Sequence, residues 1–280
     1  MRRDSHFLPT PTMLVKNLFE LKSARRVLFD HNVLQNIWVA GQTGFAFNIK
    51  VATSSSGNIA VTDDITITNN VIKNASSGVD FLPHDPYCAQ TPGCTNPGEV
   101  KRVVIRNNLF LLGDTRQPNY GNGYAMGMLI NPHDATDLVF QHNTVVPPPN
   151  LGYCKFSVYF GAPTPAVYPL THNVWILDNV FCRQIDGGGS NGYIGQFPNT
   201  FSRYMGDPAP PQPPLQPRFL GNVFYAPTGD KVYQIPPHNY TSTIPFKYVN
   251  PSIGDYQLSI PNWTDTSDGK IAGVDNSTLP

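Results

Sequence analysis

The sequence predicts an all-β fold, a parallel solenoid of stacked coils, and three observations predict it. First, one short phrase recurs six times: an apolar–x–apolar alternation, two polar residues, Asn, then a further apolar pair. It reads RVLFDHNVLQN at 26–36 and DITITNNVIKN at 64–74, and returns at 102–112, 137–147, 173–183 and 217–227. The aligned residues Asn32, Asn70, Asn108, Asn143, Asn179 and Asn222 are spaced by 38, 38, 35, 36 and 43 residues. Second, another short apolar run follows most copies. Third, charged residues are only 14% of the chain, against about 25% in an average globular protein, and Pro reaches 28 of 280 residues. Helical repeats and coiled coils have the opposite composition.

Each copy reads as strand, tight turn, strand. The alternations VLF and ITIT have the period of two that belongs to strands. Asn suits the turn because it tolerates a left-handed backbone and bonds neighbouring peptide groups. A third strand completes each unit: KNLFELK (16–22) before the first copy, then runs at 44–50, 78–82, 127–131, 156–160 and 192–197. A coil of three short strands cannot bury its own apolar residues. Stacking coil on coil buries them and pairs each strand with its equivalent in the next coil. Asparagines at equivalent turns can then bond to one another along the axis. A propeller would need a fourth strand per unit and hairpin turns at regular places; Asn122-Gly123 and Asn191-Gly192 do not supply them.

Composition narrows the function as well. Lys+Arg and Asp+Glu are both 19. This balance argues against a nucleic-acid partner, which calls for a basic surface. No apolar run approaches the ~20 residues of a membrane span. Cys88 and Cys94 enclose the loop AQTPG and are expected to close a small disulfide; free buried thiols are the alternative. Zinc is the weaker reading, because the four cysteines make no pair of CxxC knuckles and His84 is a poor fourth ligand. A disulfide implies an oxidising compartment, hence a secreted or cell-surface protein. The start, MRRDSHFLPTPT, carries no apolar leader segment. The expectation is that an export signal has been removed or that the chain begins inside a longer protein.

The six-fold Asn-turn phrase resembles the right-handed parallel β-helix proteins of the pectate-lyase-like superfold. Within it, the phrases KNLFELKSARRVLFDHNVLQNIW (16–38) and GDYQLSIPNWTDTSDGKIAGVD (254–275) are similar to bacterial proteins described only as right-handed β-helix proteins. The resemblance implies an all-β, right-handed, single-stranded parallel β-helix of about six coils with a C-terminal capping segment. It divides the chain into coils over 1–243, begun without an N-terminal cap, and a C-terminal cap over 244–280. It places the Asn turn between the second and third strands of each coil. It also makes the outer face of the first strands the place where enzymes of this superfold hold sugar chains. The superfold hosts lyases, hydrolases, epimerases and adhesins, so fold alone does not choose among them.

Alternation names the residues on that face. With Phe19, Leu21, Phe47, Ile49, Val79 and Phe81 inward, Glu20, Lys22, Asn48, Lys50, Asp80, Asn131 and Tyr159 point out. Pro-His-Asp occurs twice, at Pro83-His84-Asp85 and Pro132-His133-Asp134. Aligning the strands sets Lys22, Lys50, His84 and His133 in one column along the coils. Such a column suits uronate chains, which carry one carboxylate per sugar. Elimination needs a base, for which Lys50, His84 and His133 are candidates, and a cation to stabilise the enolate-like charge. Hydrolysis needs two carboxyl groups, for which Asp80, Asp85 and Asp134 are candidates. Glu20, Lys22, Asn48, Asn131 and Tyr159 are candidate substrate contacts.

A plainer reading stands beside each. Pro-His-Asp is also a good turn, Glu20 and the two lysines can be solvated strand charges, and His31 and His142 precede turn asparagines. Calcium is a possible cofactor, on Asp63, Asp64, Asp80 and Asp85 of one coil. The overall expectation is a carbohydrate-active protein, a lyase or hydrolase of an acidic polysaccharide, acting as a monomer with neither nucleic acid nor membrane span. A non-catalytic, saccharide-binding solenoid is the alternative.

Overall fold

The computed structural model describes residues 17–37, 45–52, 60–82, 98–113, 136–149, 154, 172–182, 219–225, 238–259 and 266–280. Three parallel sheets run along one axis. The first holds β1 (Asn17–Leu21), β4 (Phe45–Lys50) and β7 (Ser77–Leu82). The second holds β2 (Ala24–Asp30), β5 (Thr62–Thr68), β8 (Val100–Arg106), β10 (Thr136–Gln141), β12 (His172–Leu177) and β14 (Phe219–Leu220). The third holds β3 (Val33–Gln35), β6 (Val71–Ala75), β9 (Leu109–Leu112), β11 (Thr144–Val146), β13 (Val180–Phe181), β15 (Val223–Tyr225) and β16 (Tyr240–Ser242). An antiparallel pair, β17 (Tyr248–Asn250) and β18 (Asp255–Leu258), follows. This is a right-handed β-helix, six strands deep along the second sheet.

The core is a set of columns, one residue per coil. Along the second sheet Phe29, Ile67, Ile105, Phe140, Ile176 and Phe219 stand level with one another. Along the third sheet Phe181 stands level with Phe224, their rings stacked at 5.1 Å. Phe140 stacks on Phe181 at 6.2 Å and joins the two columns. Each such side chain, fully removed from water, contributes about 1.5–3 kcal/mol. Because every neighbour in a column comes from a different coil, no coil is stable alone.

Between each second-sheet strand and the next third-sheet strand stands a turn Asn. In the interior of the stack each Oδ1 accepts twice from the Asn of the preceding coil. Asn108 Oδ1, for example, takes the Asn70 backbone N–H at 3.0 Å and its Nδ2–H at 2.9 Å. Each Nδ2 in turn donates to the next Asn and to a strand carbonyl of the preceding coil, as Asn108 does to Ile67 at 3.0 Å. Asn70, Asn108, Asn143, Asn179 and Asn222 are fully buried. Burial is tolerable because each amide is bonded on both sides.

The six predicted asparagines form this ladder, and a seventh, Asn239, extends it from Asn222 at 2.9 Å. It lies only 17 residues on, so the sequence spacing hid it. The left-handed residue is the one before each ladder Asn, not the Asn itself: His31, Asn69, Asn107, His142, Asp178, Gly221 and His238 all have φ between 53° and 69°. The Asn keeps its side chain inward, and its predecessor turns the corner.

The C-terminal residues 266–280 lie along the flank of the stack as a strap. They read the left-handed column from coil to coil. Ser267 N–H donates to Asp178 Oδ1 at 2.7 Å, Asp275 N–H to Asn107 Oδ1 at 2.6 Å, and Thr278 Oγ1 to Asn69 Oδ1 at 3.1 Å. Val274 packs on Val71 and Leu109, and Ala272 packs with Val180 and Val223. The strap thereby covers the outer face of the third sheet over these coils. Val33, the equivalent residue of the first coil, is 51% exposed.

The described residues hold a disulfide that the sequence did not single out. The described disulfide joins Cys154 and Cys182, 28 residues apart, with Cα atoms 5.5 Å apart. Cys88 and Cys94 lie outside the described residues. No described helix is long and apolar enough to cross a membrane.

Candidate functional site

The first sheet is built from three strands of strict alternation. Its inward residues set the register: Phe19, Phe47 and Val79 stand level, as do Leu21, Ile49 and Phe81. Once these apolar rows are matched, the opposite face follows. Glu20 stands level with Asn48, and Asn48 with Asp80. The rungs of such a sheet are about 4.8 Å apart.

Lys50 reaches back across one rung to Glu20, Nζ to Oε1 at 2.5 Å. Both side chains keep partial contact with solvent, 16% and 20%. Asn48 and Asp80 are buried although they face away from the core. Burial pushes the Asp80 carboxyl up to about 6, while the Lys50 ammonium pulls it down. Loss of hydration therefore outweighs the attraction of the nearby cation. Asn48 Oδ1, buried between the two carboxyl groups, has no hydrogen-bond partner among the described residues. A buried polar atom left unpaired costs about 1–3 kcal/mol. The structure thus holds two carboxyl groups, a lysine and an unsatisfied amide oxygen in one short column.

One predicted alignment is corrected. Lys50 stands level with Leu82, not with His84. Matching Ile49 to Phe81 fixes this; the alignment that joined Lys50 to His84 is displaced by two residues, which keeps the face but breaks the column. Lys22 lies just past β1, its carbonyl bonded to Ala52 N–H at 2.9 Å. The other candidates, His84, Asp85, Asn131, His133, Asp134 and Tyr159, lie outside the described residues.

The calcium cluster is corrected too. Asp63 and Asp64 belong to the second sheet and are taken up by arginines. Arg25 Nε binds Asp63 Oδ1 at 2.9 Å, and Arg102 binds Asp63 Oδ2 at 2.9 Å and Asp64 Oδ1 at 2.5 Å. The Arg102 hydrogen bond holds the exposed Asp64 carboxyl below its usual range. Asp80, on the first sheet, has no place in that network. Among the described residues no three ligands of the first-sheet column come close enough to share a cation.

Sequence reasoning missed two features of possible use. The Cys154–Cys182 pairing had no local signal, since its partners meet only through the stack. Asn239 had one: the His-Asn pair of His31-Asn32 and His142-Asn143 recurs as His238-Asn239.

Comparison of the chain with family models, with curated proteins and with solved structures finds no match. What the chain shares with the β-helix proteins is the fold, in its three parallel sheets and its Asn ladder.

Proposed function

We propose that the protein is a carbohydrate-active β-helix protein that hydrolyses an acidic polysaccharide along the outer face of its first sheet. The observation that carries this reading is the column Glu20–Asn48–Asp80, with Lys50 bound to Glu20. Glycoside hydrolysis uses one protonated and one ionised carboxyl group. Asp80, raised to about 6, is a carboxyl kept protonated in mildly acidic solution and suits the general acid. Glu20, ion-paired with Lys50, suits the base. The two stand two rungs apart, about 9–10 Å between backbones, which side chains can narrow to the ~6.5–9.5 Å of inverting enzymes. Asn48 between them offers a free acceptor to a sugar hydroxyl or to the attacking water.

Hydrolysis is favoured over elimination because Leu82 occupies the rung where a cation column would continue past Lys50. Lys22, exposed at the end of β1, supports an anionic sugar chain. His84, Asp85, Asn131, His133, Asp134 and Tyr159 are proposed to line the continuation of the groove. The Cys154–Cys182 disulfide supports action in an oxidising compartment, at or outside the cell surface.

The burial of Asn48 and Asp80 favours a second reading, a saccharide-binding solenoid without turnover. A panel of uronic and neutral polysaccharides separates the readings. Reducing ends released without new absorbance near 235 nm support hydrolysis; absorbance at that wavelength marks elimination. Saccharide binding with no product of either kind supports the second reading.

A further inference from the structure

Away from the first sheet, two successive left-handed turn residues and the strap bring three ligand groups together. They are His142, Asp178 and Asp268, whose nearest ligand atoms all lie within 4.8 Å of one another. His142 and Asp178 are buried, and Asp268 stands at the surface. His142 Nε2 is 3.0 Å from Asp268 Oδ2 and 3.7 Å from Asp178 Oδ2.

The other ring nitrogen decides what Nε2 can do. His142 Nδ1 lies 3.2 Å from the Gly273 carbonyl, an acceptor, so Nδ1 carries the hydrogen. In the neutral ring Nε2 then presents a lone pair to two carboxylate oxygens. That arrangement is repulsive unless a proton or a metal ion stands between them. A proton on Nε2 bridges to Asp268 alone, since 3.7 Å is too long for a hydrogen bond to Asp178. The fully buried Asp178 carboxylate would then face the imidazolium at 3.7 Å without a hydrogen bond from it, and take hydrogen bonds from neutral donors: Gln141 Nε2 at 3.1 Å, Ser267 N–H at 2.7 Å and the Ser267 hydroxyl; Arg106 stands 3.9 Å from Asp268 Oδ2.

We propose that His142, Asp178 and Asp268 bind a divalent transition-metal ion of the zinc type, which clamps the strap to the coils. One ion satisfies all three groups at once. At metal–ligand distances of ~2.0–2.1 Å, ligands of a tetrahedral ion lie about 3.3 Å from one another. The observed 3.0 and 3.7 Å straddle that value. The Gly273 carbonyl, which orients the ring, is the outer support that metal-bound histidines use. Gln141 and Ser267 give Asp178 the same support. The ion displaces one of the two hydrogen bonds at Asp178 Oδ2, and the Ser267 N–H stays on Oδ1. One imidazole and two carboxylates suit zinc better than calcium, which takes six to eight oxygens. A water or a small anion would complete the tetrahedron. His142 and Gly273 also line a cleft of about 450 Å³ beside Arg106 and Lys270.

The test uses the full chain, stripped with a chelator and titrated with Zn²⁺ alone by calorimetry and thermal unfolding. The expected result is one ion bound per chain and a rise in melting temperature. Asp268→Ala and His142→Ala should each weaken binding by about tenfold or more and abolish the rise. Asp268 is at the surface, so Asp268→Ala remains decisive if His142→Ala does not fold. No stoichiometric binding, or equal binding by parent and Asp268→Ala, would overturn the proposal.

Discussion

Asn108 Oδ1 accepts both the backbone N–H and the side-chain amide of Asn70, at 3.0 and 2.9 Å, inside a fully buried ladder. One side chain thus terminates a turn in its own coil and fixes the position of the coil before it.

Asn108→Ala removes that acceptor. It leaves the Asn70 donors, the Ile67 carbonyl and Asn143 Oδ1 each short of a partner. The expected loss is about 2–4 kcal/mol in denaturant unfolding. Asn32→Ala, at the half-buried first rung, removes only side-chain donors and should cost about 1 kcal/mol or less. Equal losses at the two positions would count against a cooperative ladder.

Gly221 holds the left-handed turn position that His, Asn or Asp hold elsewhere. Its φ is 69°, and an added Cβ would stand 2.1 Å from Asp178 Oδ1 and 3.1 Å from Thr266 Cα. Gly221→Ala therefore strains the backbone and pushes on the carboxylate that holds the strap. We expect a loss of about 2 kcal/mol or more, with faster proteolytic cleavage within the C-terminal segment. An unchanged cleavage rate would separate the strap from this turn.

The Asp80 carboxyl sets a pH dependence. Its value in the folded chain, about 6, lies above the ordinary 3.8. Between those two values the folded protein holds a proton that the unfolded chain has lost. Stability therefore falls as pH rises through this window, by a total of about 3 kcal/mol. Asp80→Asn carries no such dependence. Its stability relative to the parent should be constant below about pH 4 and should gain about 3 kcal/mol by pH 7. A parallel pair of stability profiles would show that Asp80 is better solvated than its burial implies.

The alternation and the Asn phrase made the coils legible because both are enforced locally: a strand must face one way, and a turn must close. The inward set Phe19, Phe47, Val79 and Phe81 was readable for that reason. The register between β4 and β7 was not, because the segments joining successive first strands differ in length. Only contact between Ile49 and Phe81 fixes it, and it moved Lys50 from His84 to Leu82. The strap was equally hidden. Its partners, Asp178, Asn107 and Asn69, lie 89 to 209 residues away from it in sequence. His142 reads as an ordinary turn neighbour until Asp268 and Gly273 are folded against it.

The most direct measurement is the pH profile of reducing-end release from the polysaccharide that the parent cleaves, for the parent, Asp80→Asn and Glu20→Gln. The account predicts that the parent rate declines as pH rises past about 6, where Asp80 loses its proton. It predicts that each variant loses about 10²–10⁴-fold in turnover while remaining folded. Full turnover by both variants on that substrate would contradict it and remove the first-sheet column from the chemistry.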